Sequence, residues 1–168
     1  LYLVIKDLLD LPILYLSRYI IKNKSEYYRL IQSVRDNDNW EEWILFILKG
    51  VEETAEETII LVKQIKILMQ EYKEKMKIVM GKQYSHELLN NLFNHPYTKI
   101  DFIVQDLNVS RVTAAAYLNK LVSNGLLEKL KLGHSNFYLN TALTQILIEH
   151  SPKADDHFER IESISKII

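Results

Sequence analysis

The 168-residue sequence predicts a mainly α fold, in which helices lead into one long helix and then into a helix-turn-helix domain with a small β-hairpin. The chain has only 4 Gly and 3 Pro, and so few helix breakers favour long helices. Apolar residues recur at alternating steps of four and three from Ile44 to Val79. Residues 98–140 read in order as two helices, a tight turn between them, and two strands. That order is the one found in a winged helix-turn-helix.

The N-terminal part predicts three short helices. Leu1 to Leu9 reads as the end of an apolar helix with no initiator Met and no cap, so we expect a piece of a longer protein. Asp10-Leu11-Pro12 breaks the chain, and Pro suits the first turn of the next helix, Ile13 to Lys22. Ser25 is expected to cap a further helix that ends near Val34.

The longest predicted element runs from Trp40 to Met80. Asn39 and Glu42 resemble a capping box at its start, and as one helix it would be about 60 Å long. Its apolar and small residues follow a heptad seam, which predicts packing against another surface, either the winged domain or a second copy in a homodimer. Met69 and Met76 are interpreted as core residues, and the glutamates at positions 52, 53, 56 and 57 as a solvated face. The seam positions are Ile44, Leu48, Val51, Ala55, Thr58, Val62, Ile65, Met69, Tyr72, Met76 and Val79.

Local chemistry sets the predicted boundaries of the helix-turn-helix. Gly81 ends the long helix, and a short helix follows over 85–94. The next helix covers 100–107, and Asn108 suits the left-handed residue of the turn. Ser110 is expected to cap the second helix, whose inner face carries Ala114, Leu118 and Leu121. Gly125 is expected to end it.

Two strands and two helices complete the prediction. The strands cover 126–132 and 136–140, joined across Gly133, His134 and Ser135. Leu126, Glu128, Leu130 and Leu132 suggest one strand face, which Phe137 and Leu139 match from the other arm. Helices are expected over 141–149 and 154–168.

The sequence predicts the function less specifically than the fold. In winged helix-turn-helix domains the second helix enters the major groove, and flanking cations bind phosphates. Residues 98–140 carry five bases and three acids, a net charge of +2, which is a modest attraction for DNA. Val112, Ala115 and Ala116 bring no groups that read base edges, so packing on a protein stays open. The DNA-binding candidates are Lys99, Ser110, Arg111, Thr113, Asn119, Lys120, Lys131 and His134.

Composition narrows the function classes. The net charge is -1 and the pI about 6.6, so no global field attracts nucleic acid or membrane. The chain has no cysteine, which excludes disulfides and thiolate metal sites and fits a cytoplasmic protein. The apolar N-terminal run is broken by charges, so no membrane contact is expected. The five histidines lack metal-ligand spacing, and no nucleophile stands beside a base.

The first part of the chain carries a set of short motifs, namely Asp10-Leu11-Pro12, Leu16-Ser17, Tyr19, Tyr27-Tyr28, Val34-Arg35, Trp40-Glu41 and Trp43-Ile44. These motifs resemble the C-terminal part of bacterial Fic proteins, where a long helix and a winged helix follow the Fic core. Residues 95–128 resemble that appended winged-helix domain. The resemblance implies domains at 1–38 (end of the Fic core), 39–81 (connecting helix), 82–150 (winged helix-turn-helix) and 151–168 (C-terminal helix).

The resemblance also implies an activity for the parent protein, which is AMP transfer from ATP, with magnesium, to a hydroxyl of a target protein. The family's His-Pro-Phe and Gly-Asn-Gly-Arg signature is missing here, and its inhibitory motif is absent too. His95-Pro96-Tyr97 continues as Thr98-Lys99 with no glycine loop for phosphate. We therefore assign no catalytic, cofactor-binding or metal residue, and expect this chain alone to be inert. The alternatives are a stand-alone winged-helix transcriptional regulator and a structural dimerisation module.

Overall fold

The computed structural model describes residues 2–9, 15–133 and 135–150. The predicted break at Asp10-Leu11-Pro12, the candidate His134 and the predicted helix over 154–168 lie outside those residues. The chain divides into two compact units, Leu1–Val62 and Lys63–Ile168, called here the N-terminal and C-terminal units.

The predicted mainly α fold, with one long helix and a small sheet, is confirmed. Helix α4 (Trp40–Met80) is unbroken over 41 residues, as the seam predicted. Gly81 follows it at φ 56° in the left-handed region that glycine adopts without strain. The other elements are α1 (Tyr2–Ile5), α2 (Ser17–Lys22), α3 (Lys24–Asn37), α5 (His86–Asn94), β1 (Tyr97–Thr98), α6 (Ile100–Leu107), α7 (Arg111–Ser123), β2 (Glu128–Leu132), β3 (Ser135–Leu139) and α8 (Thr141–Glu149).

The first three helix predictions need correction. Tyr15 and Leu16, predicted within the second helix, precede α2, which begins at Ser17. Helix α3 continues to Asn37 instead of ending near Val34. Helix α1 is shorter than expected, because Asp7 takes the left-handed conformation at φ 55° and ends it. Ser25 does not cap α3, which already begins at Lys24 with Asn23 in the cap position. The Asn23 amide instead donates to the Tyr19 carbonyl at 2.9 Å. Because α2 runs into α3 with a single residue between them, Ser25 lies inside the first turn and has no helix start to cap.

The N-terminal unit is held by an aromatic core. Tyr19, Leu30 and Phe46 are buried, and the Tyr19 and Phe46 rings lie 5.0 Å apart. Gly50 is required there, since a Cβ on it would lie 2.6 Å from Tyr19 Cδ1. Glu57 accepts from Lys22 at 2.9 Å and from Arg18 at 3.2 Å, and these bonds lower the pKa of its carboxyl.

The two ends of the heptad seam have different surroundings. Tyr72 and Met76 are buried with Met80 in the core of the C-terminal unit, so the last turns of α4 pack against the helices that follow. Of the two surfaces that the sequence offered for this end of α4, the chain uses its own C-terminal domain. Ile44 and Leu48, by contrast, are 51% and 58% exposed.

Helices α5, α6 and α7 of the C-terminal unit each bury one face. Ser85 caps α5, since its Oγ accepts from the Leu88 amide at 3.1 Å. The core of the unit is apolar and fully enclosed, and includes Leu88, Leu92, Ile103, Ala114, Leu118, Leu121 and Tyr138, each at most 1% exposed. The predicted sequence of helix, turn, helix and hairpin is therefore confirmed for this unit.

The sheet differs from the prediction in its strands, since β2 begins at Glu128 instead of residue 126 and a third strand pairs with β3. Its order is β1-β3-β2, all antiparallel, and the two-residue β1 was not predicted. The predicted match of Phe137 with Leu130 is confirmed by the register. That face does not turn inward, however: Leu130 and Leu132 are 37% and 47% exposed, whereas Tyr138 is 1% exposed. The alternation of apolar residues predicts which residues share a face of the sheet. Which of the two faces is buried depends on β1 and on the helices that pack against that side.

Asn140 joins four elements at the centre of the C-terminal unit. Its Oδ1 accepts from the Leu143 amide at 3.1 Å, which caps α8, and its Nδ2 donates to the Leu92 carbonyl at 3.2 Å. The Tyr72 hydroxyl lies 2.9 Å from that Oδ1 and 2.8 Å from the Leu126 carbonyl oxygen. Burial raises the pKa of the Tyr72 hydroxyl. The network ties the last turns of α4 to the hairpin and to α8.

Candidate nucleic-acid interface

The turn before α7 has the predicted geometry. Asn108 lies in the left-handed region at φ 51° and ψ 45°. Ser110 Oγ accepts from the Thr113 amide at 3.1 Å and lies 2.8 Å from Thr113 Oγ1. The cap is thus confirmed, and the hydroxyls of two DNA-binding candidates already hydrogen-bond each other.

The C-terminal end of α7 is also as predicted. Gly125 is at φ 70°, and its amide donates to the Val122 carbonyl at 3.0 Å. The Leu126 amide donates to the Leu121 carbonyl at 3.0 Å. These two bonds form a Schellman motif, which ends the helix and turns the chain into the hairpin.

Helix α7 has a fully buried face and a free face. Ala114, Leu118 and Leu121 are 0% exposed. The opposite side, called here the α7 outer face, consists of Val112, Ala116, Asn119 and Ser123, all of them exposed. Val112 is 81% exposed, so nothing in the described part of the chain covers the start of this face. A face of this kind is available to a groove or to a protein surface.

The three cations nearest to the helix-turn-helix have partners of different kinds. Arg111 is paired with Asp101 of α6, and both side chains are mostly exposed, so the pair contributes little to stability. Lys120 Nζ donates to Gln83 Oε1 at 3.3 Å. Lys99 Nζ lies 4.3 Å from the centre of the Phe137 ring, a cation–π contact at the side of the sheet.

The remaining candidates lie around the same helix and on the hairpin. Asn119 Oδ1 lies 3.5 Å from the Tyr138 hydroxyl, which is at the limit of a hydrogen bond. Lys131 is exposed on β2, opposite Asn136 in the register. Lys129, also on β2, lies 5.7 Å from the centre of the Tyr138 ring. The hairpin therefore carries two cations on its outer strand beyond α7.

Sequence reasoning missed the polar groups that position these candidates. Gln83 and Asp101 could not be assigned as partners, because each contacts a residue ten or more positions away. A chain of hydrogen bonds between β1, α5 and α6 was missed as well: Thr98 Oγ1 donates to Asn91 Oδ1, and Asn91 Nδ2 donates to Asp106 Oδ2, each at 2.6 Å. This chain fixes β1 and α6 relative to α5.

Metal clusters and membrane spans are absent from the described residues. Within them, no group of three or more His, Asp or Glu side chains could hold a metal ion. Among the same residues, no helix combines the length and apolar character needed to cross a bilayer.

Together, the packed helices, the three-stranded sheet and the uncovered outer face define a small, mainly α domain built on the last turns of α4. Residues 68–143 match the family described as protein adenylyltransferase SoFic-like, C-terminal domain. This match confirms the predicted relation to the C-terminal part of a Fic-family protein over these residues.

Proposed function

We propose that this chain is the accessory C-terminal region of a Fic-type protein adenylyltransferase, and that its C-terminal unit is a winged helix-turn-helix that binds duplex DNA. The single observation that carries the DNA role is the α7 outer face, which is uncovered while the inner face is fully buried. Helix α7 has no acidic side chain, and Arg111 and Lys120 lie near its two ends. The charge on α7 itself therefore attracts phosphates.

In this proposal α7 lies in the major groove and the exposed β2 strand follows the backbone. Asn119 can read a base edge, and Val112 can contact a thymine methyl group. Arg111, Lys120 and Lys131 bind phosphates, which gives affinity with little sequence preference. The AMP transfer, with its ATP and magnesium, belongs to catalytic residues other than those of this chain.

One observation favours a second candidate, which is binding of a protein partner, including the target of AMP transfer. The α7 outer face begins with Val112, 81% exposed, and continues with Ala116. Neither side chain donates or accepts a hydrogen bond, and apolar exposed positions suit a protein surface better than base edges. The two candidates use the same face and are separated by their dependence on salt.

The test is fluorescence anisotropy with a labelled pool of mixed-sequence duplexes at several salt concentrations. We expect binding that weakens steeply with salt, and the double variant Arg111→Glu, Lys120→Glu to lower the salt slope by about two. The matched control is Lys63→Glu, Lys75→Glu, which changes the charge equally on exposed positions of α4. It should leave the slope almost unchanged.

Four results would contradict parts of the proposal. If the chain shows no measurable DNA binding before or after substitution, the DNA role fails, and the protein-partner or purely structural role stands. If both double variants weaken binding equally, the contact is diffuse and does not use α7. If the chain alone transfers AMP from ATP and magnesium to candidate targets, it is not merely accessory. A tight, specific complex in the absence of any Fic core would favour a stand-alone regulator.

A further inference from the structure

Among the described DNA-binding candidates, Arg111 is the only cation that an acid of the same chain neutralises. Its guanidinium forms an ion pair with the Asp101 carboxylate. Lys120 binds the neutral amide oxygen of Gln83, and Lys99 lies against the Phe137 ring. Arg111 therefore differs from the other candidates, because its partner carries the same sign of charge as a DNA phosphate.

The ion pair joins the two helices of the helix-turn-helix. Asp101 belongs to the first turn of α6, and Arg111 is the first residue of α7. The Asp101 and Arg111 side chains are 60% and 70% exposed, so a group from solution can reach both of them. Burial does not lock the pair, and either side chain can take a different partner.

A carboxylate and a phosphate are alternative ligands of the same guanidinium. Both present oxygen atoms that fit the parallel N–H donors of arginine. The Asp101 carboxylate accepts from Nη1 of Arg111, and its negative charge repels any phosphate that comes close. A DNA phosphate therefore makes its full contact with Arg111 only after the carboxylate has moved away.

We propose that Asp101 is a built-in competitor of DNA, which occupies Arg111 and thereby lowers the affinity of α7 for a duplex. The inference rests on the proposed DNA role and adds to it a regulation of the same site. The two ends of α7 then differ. Lys120 has only a neutral partner and is ready to bind a phosphate, whereas Arg111 must first exchange its carboxylate.

The test is a double-mutant cycle, measured by fluorescence anisotropy with the same mixed-sequence duplexes at one salt concentration. Its four chains are the unchanged chain, Asp101→Asn, Arg111→Gln and the double variant. Asp101→Asn keeps the shape of the side chain and removes its charge. The dissociation constant for DNA should fall about fivefold, which is the upper end for loss of an exposed ion pair.

The cycle shows whether Asp101 acts through Arg111. Arg111→Gln alone should raise the dissociation constant, because a phosphate contact is lost. In the Arg111→Gln background, Asp101→Asn should change the constant by less than about twofold, since only screened repulsion between Asp101 and the DNA remains.

The matched control is Asp106→Asn. Asp106 is exposed on the same helix and accepts from Asn91, but within the described residues it has no cation as a partner. The substitution removes the same charge and keeps an oxygen for Asn91. It should change the dissociation constant by less than about twofold.

A gain in affinity that depends on Arg111 is the expected result. An equal gain in both backgrounds, or an equal gain from Asp106→Asn, would show a general effect of charge and overturn the proposal. Unchanged or weaker binding by Asp101→Asn would overturn it as well, because Asp101 would then be neutral or would orient Arg111 for DNA. All these results leave the DNA role intact.

Failure of the DNA role gives a different pattern. If none of the four chains binds a duplex, the DNA role is wrong, and the competitor role is wrong with it. Binding by Asp101→Asn alone would support the proposal, since the carboxylate would then keep the affinity of the unchanged chain below detection.

Discussion

Removing one hydroxyl from Tyr72 should destabilise the C-terminal unit by about 1–3 kcal/mol. Tyr72→Phe keeps the ring, which is 4% exposed, and removes only the oxygen that lies near Leu126 and Asn140. Asn140 Oδ1 keeps its bond from the Leu143 amide, so the main loss is at the Leu126 carbonyl, which is left without this donor. The expected cost is that of one buried acceptor deprived of its side-chain partner.

The matched control is Tyr84→Phe. The Tyr84 oxygen is also buried, but it has no hydrogen-bond partner among the described residues. Removing this oxygen should leave the free energy of unfolding unchanged or raise it slightly. A buried polar group without a hydrogen bond costs desolvation energy that nothing offsets. Both variants delete one oxygen from a tyrosine of the same unit, so their difference isolates the bonds of Tyr72.

The assay must follow this unit alone. Trp40 and Trp43 both lie in the N-terminal unit, so tryptophan fluorescence reports on the wrong part of the chain. Hydrogen exchange of the Leu118 and Leu121 amides, measured by NMR with increasing urea, follows the core of the C-terminal unit. If Tyr72→Phe and Tyr84→Phe change the free energy of opening equally, the Asn140 network does not stabilise the fold as argued.

Two further predictions concern the same unit. Because the pKa of the Tyr72 hydroxyl is raised in the fold, its stability contribution is complete below the ordinary tyrosine pKa of about 10 and is lost as the pH rises through the folded value. The free energy of unfolding should therefore fall less steeply with rising pH in Tyr72→Phe than in the unchanged chain. Equal slopes in the two chains would argue against this account. Ser110→Ala removes the cap of α7 and should cost about 1 kcal/mol by the same exchange measurement. Ser123→Ala, at the other end of the helix, serves as its control and should cost less.

Much of the helix-turn-helix could be predicted because single residues decide its ends. Ser110 supplies a hydroxyl for the free amides of α7, and Asn108 and Gly125 accept the left-handed conformation that two turns require. These are local effects, settled within four or five residues. The unbroken α4 was predictable for a related reason, since its apolar repeat continues until Gly81.

The features that the sequence did not predict depend on residues far away in the chain. Ser25 has the right chemistry for a cap, but the short link between α2 and α3 leaves it inside a helix. Alternation paired Leu130 with Phe137 correctly, yet the buried face belongs to Tyr138, because β1 and the helices cover that side. Among the candidate contacts, the pairing of Arg111 with Asp101 has no signal in either local segment.

The bond between Tyr72 and Asn140 joins positions 68 residues apart, and this span has a consequence for biosynthesis. As the nascent polypeptide leaves the ribosome, the last turns of α4 emerge long before the asparagine that their tyrosine needs. The Tyr72 hydroxyl therefore lacks this partner until the residue after β3 has been made. Leu88, Leu92 and Leu118 are made before Asn140 and pack in the same core as Tyr72, so the apolar contacts can form first. The hydrogen bond to Asn140 then closes the network only after position 140 has been synthesised.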